Sequence, residues 1–277
     1  MSTLPSTSEF LNVSYTSDVD STYHSFDLYT PSIIPDEIAS PPLLIFVHGG
    51  AWRAEDKKDY GSLARRLVSL TGYPVAVPNY RLTTAQNKLQ HPAHTEDLLA
   101  FLHFIIDWTG PSGVRPPYNP TSIYAIGHSC SAHMLTAIFL EPTPDHAPAP
   151  SLIPSPRLLS SVKKFVLSSG LYDLDLLLQS FPGYKDWFIA STFGDYESYS
   201  RWTTANMRLR EELKDAKWLI IHSRGDTLVD TLQSETMLAS LQAQGAVVSF
   251  DTQLTEDHND TLRGDTYPGI VSQFVLS

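Results

Sequence analysis

The stretch Ile123-Tyr124-Ala125-Ile126-Gly127-His128-Ser129-Cys130-Ser131-Ala132-His133-Met134-Leu135 joins a short β-rich run to a helical apolar pattern at one serine. Ile123 to Ile126 suits a buried strand, Gly127 permits a sharp turn, and Leu135, Ile138 and Phe139 recur at helical spacing beyond it. That reading puts Ser129 at a strand-to-helix elbow. The helix N-terminus below it offers unpaired N–H groups and a positive dipole end, both suited to an oxyanion. The usual elbow is G-x-S-x-G, whereas this one has Ser131 at the second glycine. A helix packed closely on a strand needs a small residue there, and serine is small. Alone, Gly-X-Ser at a strand end is commonly just a turn, so the reading rests on what the rest of the chain supplies.

Upstream, Val13 to Tyr15 and Tyr23 to Tyr29 read as two opening strands forming an antiparallel edge. Leu43 to Val47 is apolar throughout, as in a parallel strand covered on both faces, and it runs out into His48-Gly49-Gly50-Ala51-Trp52. Helical patterns over Tyr60 to Leu70 and Pro92 to Trp108 flank a strand from Val75 to Tyr80. Downstream of the elbow, six prolines between Glu141 and Pro156 predict an irregular surface loop. Buried strands follow at Phe165 to Leu167, Trp218 to His222 and Val247 to Phe250, with helices over about Leu228 to Leu241 and Thr266 to Val275. Strands alternating with helices predict one α/β domain over 1–277, a mostly parallel central sheet with helices on both faces. An aromatic-rich segment at about 172–216 is expected to form a small cap over the carboxyl ends of the strands.

Bulk properties narrow the partners. A formal net charge of −11 argues against nucleic acid or an anionic membrane surface and leaves a small molecule. The single cysteine, Cys130, excludes an intramolecular disulfide. The first residues lack a basic region followed by an apolar core, and no apolar run could span a bilayer, so a cytoplasmic protein is expected. Oligomeric state stays open, a homodimer among the options.

A serine hydroxyl attacks at neutral pH only with a base to take its proton and an acid to orient that base. In one arrangement of such a triad, acid and then histidine follow the serine, each beyond a later strand. Asp226 lies in the first turn after the strand ending at His222, with Asp230 as runner-up, and His258 is the one histidine after it. Each alone would ordinarily be a solvated loop residue. The three in order point to nucleophile Ser129, acid Asp226 and base His258. Gly49, Gly50 and Ala51 present backbone N–H groups without bulk and, with the N–H of Cys130, form the expected oxyanion hole. Gly50 and Ala51 are the first-choice donors, with Gly49 needed for the turn. Trp52, with Tyr172 and Trp187 from the aromatic segment, is expected to face an aryl group. His91 and His94 lack a zinc-binding pattern. His128 and His133 should pack locally, and the Cys130 thiol should point away from the pocket. The chemistry calls for no metal or organic cofactor.

The pieces His48-Gly49-Gly50-Ala51-Trp52, Gly127-His128-Ser129-x-x-Ala132-His133, Ser169-Gly170-Leu171-Tyr172-Asp173-Leu174, His222-Ser223-x-x-Asp226 and His258-Asn259-Asp260 resemble the kynurenine formamidases (arylformamidases), particularly fungal ones. That resemblance implies an α/β-hydrolase fold, the triad Ser129, Asp226 and His258, and hydrolysis of N-formyl-L-kynurenine to L-kynurenine and formate. Ser131 departs from the family's usual glycine, and carboxylesterases acting on small esters share the same parts. Hydrolase-fold proteins that bind a ligand without turning it over are the rival from another class.

Overall fold

The computed structural model describes residues 7–17, 21–32, 40–111, 113, 115–144 and 150–277. Two strands open the chain, β1 (Thr7–Ser14) and β2 (Ser25–Pro31), followed by β3 (Leu43–Val47), helix α1 (Gly61–Thr71), β4 (Val75–Pro78) and α2 (Ala93–Asp107). The elbow region is β5 (Ile123–His128) and α3 (Cys130–Phe139), which runs into the two-residue β6 (Leu140–Glu141). Then come α4 (Pro156–Ser161), β7 (Val162–Ser168), α5 (Leu174–Ser180), α6 (Ala190–Phe193) and the short β8 (Arg208–Leu209). The chain ends with β9 (Lys217–Ile221), α7 (Thr231–Ala243), β10 (Val247–Asp251) and α8 (Thr266–Leu276).

The eight-stranded sheet has the order β1-β2-β4-β3-β5-β7-β9-β10. Strands β1 and β2 pair antiparallel with their neighbours, and every later pairing in the sheet is parallel. The uninterrupted apolar run of β3 follows from this position. Leu43, Ile45 and Val47 join the core on one face, which also contains Leu98 and Leu102 of α2 and Leu135 and Ile138 of α3. Leu44 and Phe46 turn to the other face, against Leu63 and Leu67 of α1 and Tyr267 and Val271 of α8. With both faces buried, alternation by two carries no polar partner. Helix α1 ends where Gly72 takes a left-handed conformation (φ 71°) and its N–H bonds to the Val68 carbonyl at 2.8 Å.

Two local expectations are corrected. The proline-rich stretch is not wholly irregular, because Ser155 caps α4 and Pro156 occupies its first turn, where a proline has no N–H to lose. Residues 145–149 of that stretch lie outside the described residues. Strand β4 stops at Pro78 rather than Tyr80, and Tyr80 instead donates its hydroxyl to the carbonyls of Gly49 (2.7 Å) and His48 (3.0 Å). The aromatic segment packs as a layer in which Phe188, Phe193 and Tyr199 are buried. One edge of it is pinned where β6 pairs with β8. Among the described residues, no helix is long and apolar enough to cross a membrane.

Candidate active site

Ser129 sits one residue beyond β5 with φ 59° and ψ −127°, a conformation that costs a non-glycine residue about 1–3 kcal/mol. The surroundings hold it there. Its N–H bonds to the Ser168 carbonyl at the end of β7 (2.8 Å), and α3 begins immediately after it. A Cβ on Gly127 would lie 2.9 Å from the Ala132 nitrogen and 2.8 Å from a Leu135 methyl, so the tightest helix-on-strand approach falls at the first glycine of the elbow. The departure at Ser131 is used. Its hydroxyl oxygen accepts the His128 N–H (2.8 Å), and its proton has the Val47 (2.7 Å) and His128 (2.9 Å) carbonyls within reach. The serine thus ties the elbow to the end of β3, which a glycine could not do.

Asp226 and His258 come from the loops after β9 and β10. The Asp226 Oδ2 accepts a 2.7 Å hydrogen bond from His258 Nδ1, while Oδ1 accepts the N–H groups of Leu228 (3.0 Å) and Val229 (2.9 Å). Its side chain is fully shielded from solvent. Burial by itself would raise this carboxyl. The His258 hydrogen bond and charge, the Ser169 hydroxyl and the Val229 N–H outweigh burial and bring it to about 2. The two loops are tied by Arg224 N–H to Leu254 carbonyl (2.9 Å) and by the Thr227 N–H and hydroxyl to the Asp257 carboxylate (2.9 and 2.8 Å). Asp230, the alternative acid, occupies the N-cap position of α7 outside this pairing without a side-chain cap bond, and its carboxylate oxygens have no hydrogen-bond partner among the described residues. His128 packs its ring on that of His258 at 4.6 Å. Burial and the nearby His258 charge hold His128 down to about 3, so it packs there as a neutral ring.

The turn after β3 is closed by the Arg53 and Ala54 N–H groups bonding to the Gly50 carbonyl (3.0 and 2.9 Å). Gly50, Ala51 and Trp52 all have positive φ (90°, 52° and 58°). A Cβ on Gly50 would fall 2.2 Å from the Ala54 carbonyl oxygen, so only glycine closes this turn. Gly49 lies behind the elbow, a Cβ there reaching 3.1 Å from the Ser129 Cβ. Its backbone N–H is among the groups that offset the burial of the Glu55 carboxylate. Cys130 is fully buried beneath the turn, where its sulfur accepts the Trp52 N–H at 3.4 Å and contacts the Tyr80 hydroxyl at 3.8 Å. Burial is the main reason its thiol rises to about 12, too high for a nucleophile at neutral pH.

A cavity of about 310 Å³ opens over these groups, with Gly50, Ala51, Ser129 and His258 on its floor. Its apolar wall is Leu171, Tyr184, Trp187, Phe188, Leu228 and Val229, and Arg53 and Glu55 also line it. Of the three aromatics expected to face an aryl group, Trp187 lines this cavity. Trp52 and Tyr172 do not. Trp52 is fully buried, edge-on to Phe193 (5.0 Å) and His133 (5.4 Å), because its left-handed backbone turns the indole down into the core. Tyr172 is fully buried too, directly after the cavity-lining Leu171, and the tight approach of its ring to Gly170 shows which way it points. Tyr184 and Phe188 belong to the aromatic segment expected over the site, whereas Arg53 and Glu55 are not singled out by the sequence reading. The charged pair has a signal, two charges three and five residues after Gly50 in the glycine-rich turn beyond β3. Among the described residues, no cluster of three or more histidine, cysteine or acidic side chains could hold a metal.

Residues 26–153 match the family model described as BD-FAE. The chain is 27% identical to the kynurenine formamidase of Meyerozyma guilliermondii, over 84% of this chain and 83% of that protein. It is also 27% identical to the kynurenine formamidase of Eremothecium gossypii, over 86% of this chain and 94% of the relative. Among solved structures, esterase B from Lactobacillus rhamnosis superposes with a TM-score of 0.73 at 16% identity, covering 98% of this chain and 85% of the esterase. At that identity the superposition speaks for the fold alone. The mostly parallel sheet has the α/β-hydrolase fold, and with these relatives it makes the chain a hydrolase acting on an amide or ester, similar over most of its length to kynurenine formamidases.

Proposed function

We propose that the enzyme hydrolyses N-formyl-L-kynurenine to L-kynurenine and formate, with Ser129, Asp226 and His258 as its triad. The observation that carries the reading is the Asp226–His258 hydrogen bond of 2.7 Å beneath a cavity shared by Ser129 and an aromatic wall. Relatives of that activity, similar over most of the chain, support it.

With Nδ1–H donating to the carboxylate, the imidazole holds its free lone pair on Nε2, the tautomer a general base needs. His258 takes the Ser129 proton as the oxygen attacks the formyl carbon. The carbonyl electron pair moves onto oxygen, where the N–H of Cys130, first in its helix and without an intrahelical acceptor, and the N–H of Gly50 receive it. The N–H of Ala51, next on the same turn and lining the cavity, is the further donor. Collapse breaks the C–N bond, and the proton on His258 passes to the departing aniline nitrogen. Water, deprotonated by the same histidine, attacks the formyl-serine and releases formate. Tyr184, Trp187 and Phe188 stack on the aryl ring meanwhile. We place the enzyme in the cytoplasm, acting on a small molecule.

The test is kcat/KM on N-formyl-L-kynurenine against that on short p-nitrophenyl esters. A clear preference for the formamide supports the reading. Good ester turnover with negligible formamide hydrolysis would replace it with a carboxylesterase.

A further inference from the structure

Two charged side chains in the cavity take no part in the acyl-transfer steps. Arg53 and Glu55 line it together, on the turn that carries Gly50 and Ala51 and facing the aromatic wall of Tyr184, Trp187 and Phe188. Glu55 is held there by a left-handed backbone (φ 72°), and its Cγ would sit 3.1 Å from a Cβ on Gly50, so the side chain is packed into the turn. Its carboxylate accepts the Tyr60 hydroxyl, and the Gly49 N–H points to it. Burial pushes the carboxyl upward against the Tyr60 hydrogen bond and the His258 charge. Among the described residues, no lysine or arginine forms an ion pair with it. A carboxylate so placed is one that a ligand cation would stabilise. Arg53 is exposed at the rim and donates one Nη1 N–H to the Trp187 carbonyl. The rest of its fork is unpaired among the described residues, and a guanidinium fork matches a carboxylate.

We propose that Arg53 and Glu55 are a specificity pair that reads the zwitterionic α-amino-acid head of the substrate, Glu55 taking the ammonium and Arg53 the carboxylate. The inference rests on the formamidase reading and deepens it. A ring on the aromatic wall, a formyl group over Ser129 and a charged head at the turn fill the three chemically distinct parts of the cavity. A substrate without that head leaves both charges unanswered.

The experiment compares N-formyl-L-kynurenine with 2′-formamidoacetophenone, which keeps the ortho-acyl formanilide and lacks the amino-acid head. The readout is the ratio of the two kcat/KM values. In the wild-type enzyme the ratio should favour the zwitterion. In Glu55→Gln, which keeps the shape and a hydrogen bond to Tyr60, and in Arg53→Gln, it should fall about 10–100-fold, the range for one charge-assisted hydrogen bond, mainly through KM. Arg53→Lys should recover part of the loss, with thermal midpoints unmoved throughout. If the variants lose activity on both substrates in proportion, the ratio is unchanged and the pair only supports the turn, which overturns the inference. Equal wild-type turnover of the two formamides would overturn it while leaving the formamidase reading intact. Wild-type silence on both, with ester turnover, would remove the formamidase reading and the inference with it.

Discussion

The carboxylate of Asp226 and the imidazole of His258, 2.7 Å apart, belong to two loops that fit together only because residue 225 lacks a side chain. A Cβ on Gly225 would lie 2.0 Å from the Thr255 carbonyl oxygen and 2.7 Å from its carbon. Gly225→Ala is therefore expected to push the acid loop off the histidine loop. Because a misplacement of about 1 Å can cost on the order of 100-fold in rate, kcat should fall at least that far. The thermal midpoint should also drop, and activity at a temperature where the variant stays folded separates the two effects.

Asp226→Asn is expected to keep the fold and lower kcat by roughly 10³–10⁴-fold, since the amide favours the wrong imidazole tautomer. It should also change the acid limb of stability. The folded carboxyl titrates at about 2 against an ordinary value of 3.8, so its contribution is fully present above about 4 and is lost as pH falls through the folded value. Denaturant midpoints between pH 2 and 5 should fall less steeply in the variant than in wild type.

Acid should act on the buried histidines first. Burial holds His48, His94 and His133 down to about 4 and His128 to about 3, from an ordinary value of 6.5. Below pH 6.5 the unfolded chain binds protons that the folded chain refuses, so stability falls as pH drops from about 6.5 toward 4. Urea midpoints measured across pH 4 to 8 should show that slope. A flat profile would mean that these rings gain protons without unfolding.

Ser131→Gly restores the usual elbow glycine yet is expected to destabilise the protein. It removes the acceptor of the buried His128 N–H and the donor to the Val47 carbonyl, at a cost of about 1–3 kcal/mol. The chemistry should survive. Denaturant unfolding together with kcat gives both readings.

Tyr172→Phe should be silent in KM, because the ring is buried outside the cavity and its hydroxyl has no hydrogen-bond partner among the described residues. Stability should hold or improve slightly, as removing an unsatisfied buried hydroxyl relieves its desolvation cost. A rise in KM would return the ring to the substrate site.

What the sequence makes legible here follows from local physics. Leu43–Val47 and Ile123–Ile126 announce a doubly covered sheet by composition alone, and the order of Ser129, Asp226 and His258 follows strand ends. Helix α4 is hidden because a count of prolines ignores their positions, Pro156 being harmless in a first turn capped by Ser155. Trp52 and Tyr172 were misplaced for another reason. Which way an aromatic points depends on backbone φ and on neighbours distant in sequence, and neither appears in spacing. Glu55 escaped likewise, since its place in the cavity depends on a left-handed turn closed over Gly50.

The most direct measurement is formate release from N-formyl-L-kynurenine by wild type and Ser129→Ala at matched concentration, with intact mass after fluorophosphonate treatment. Rapid formate release and a single adduct, both abolished in the variant, are the predicted result. Formate release that persists in Ser129→Ala, or a wild-type enzyme that labels at Ser129 and leaves the formamide untouched, would contradict the account.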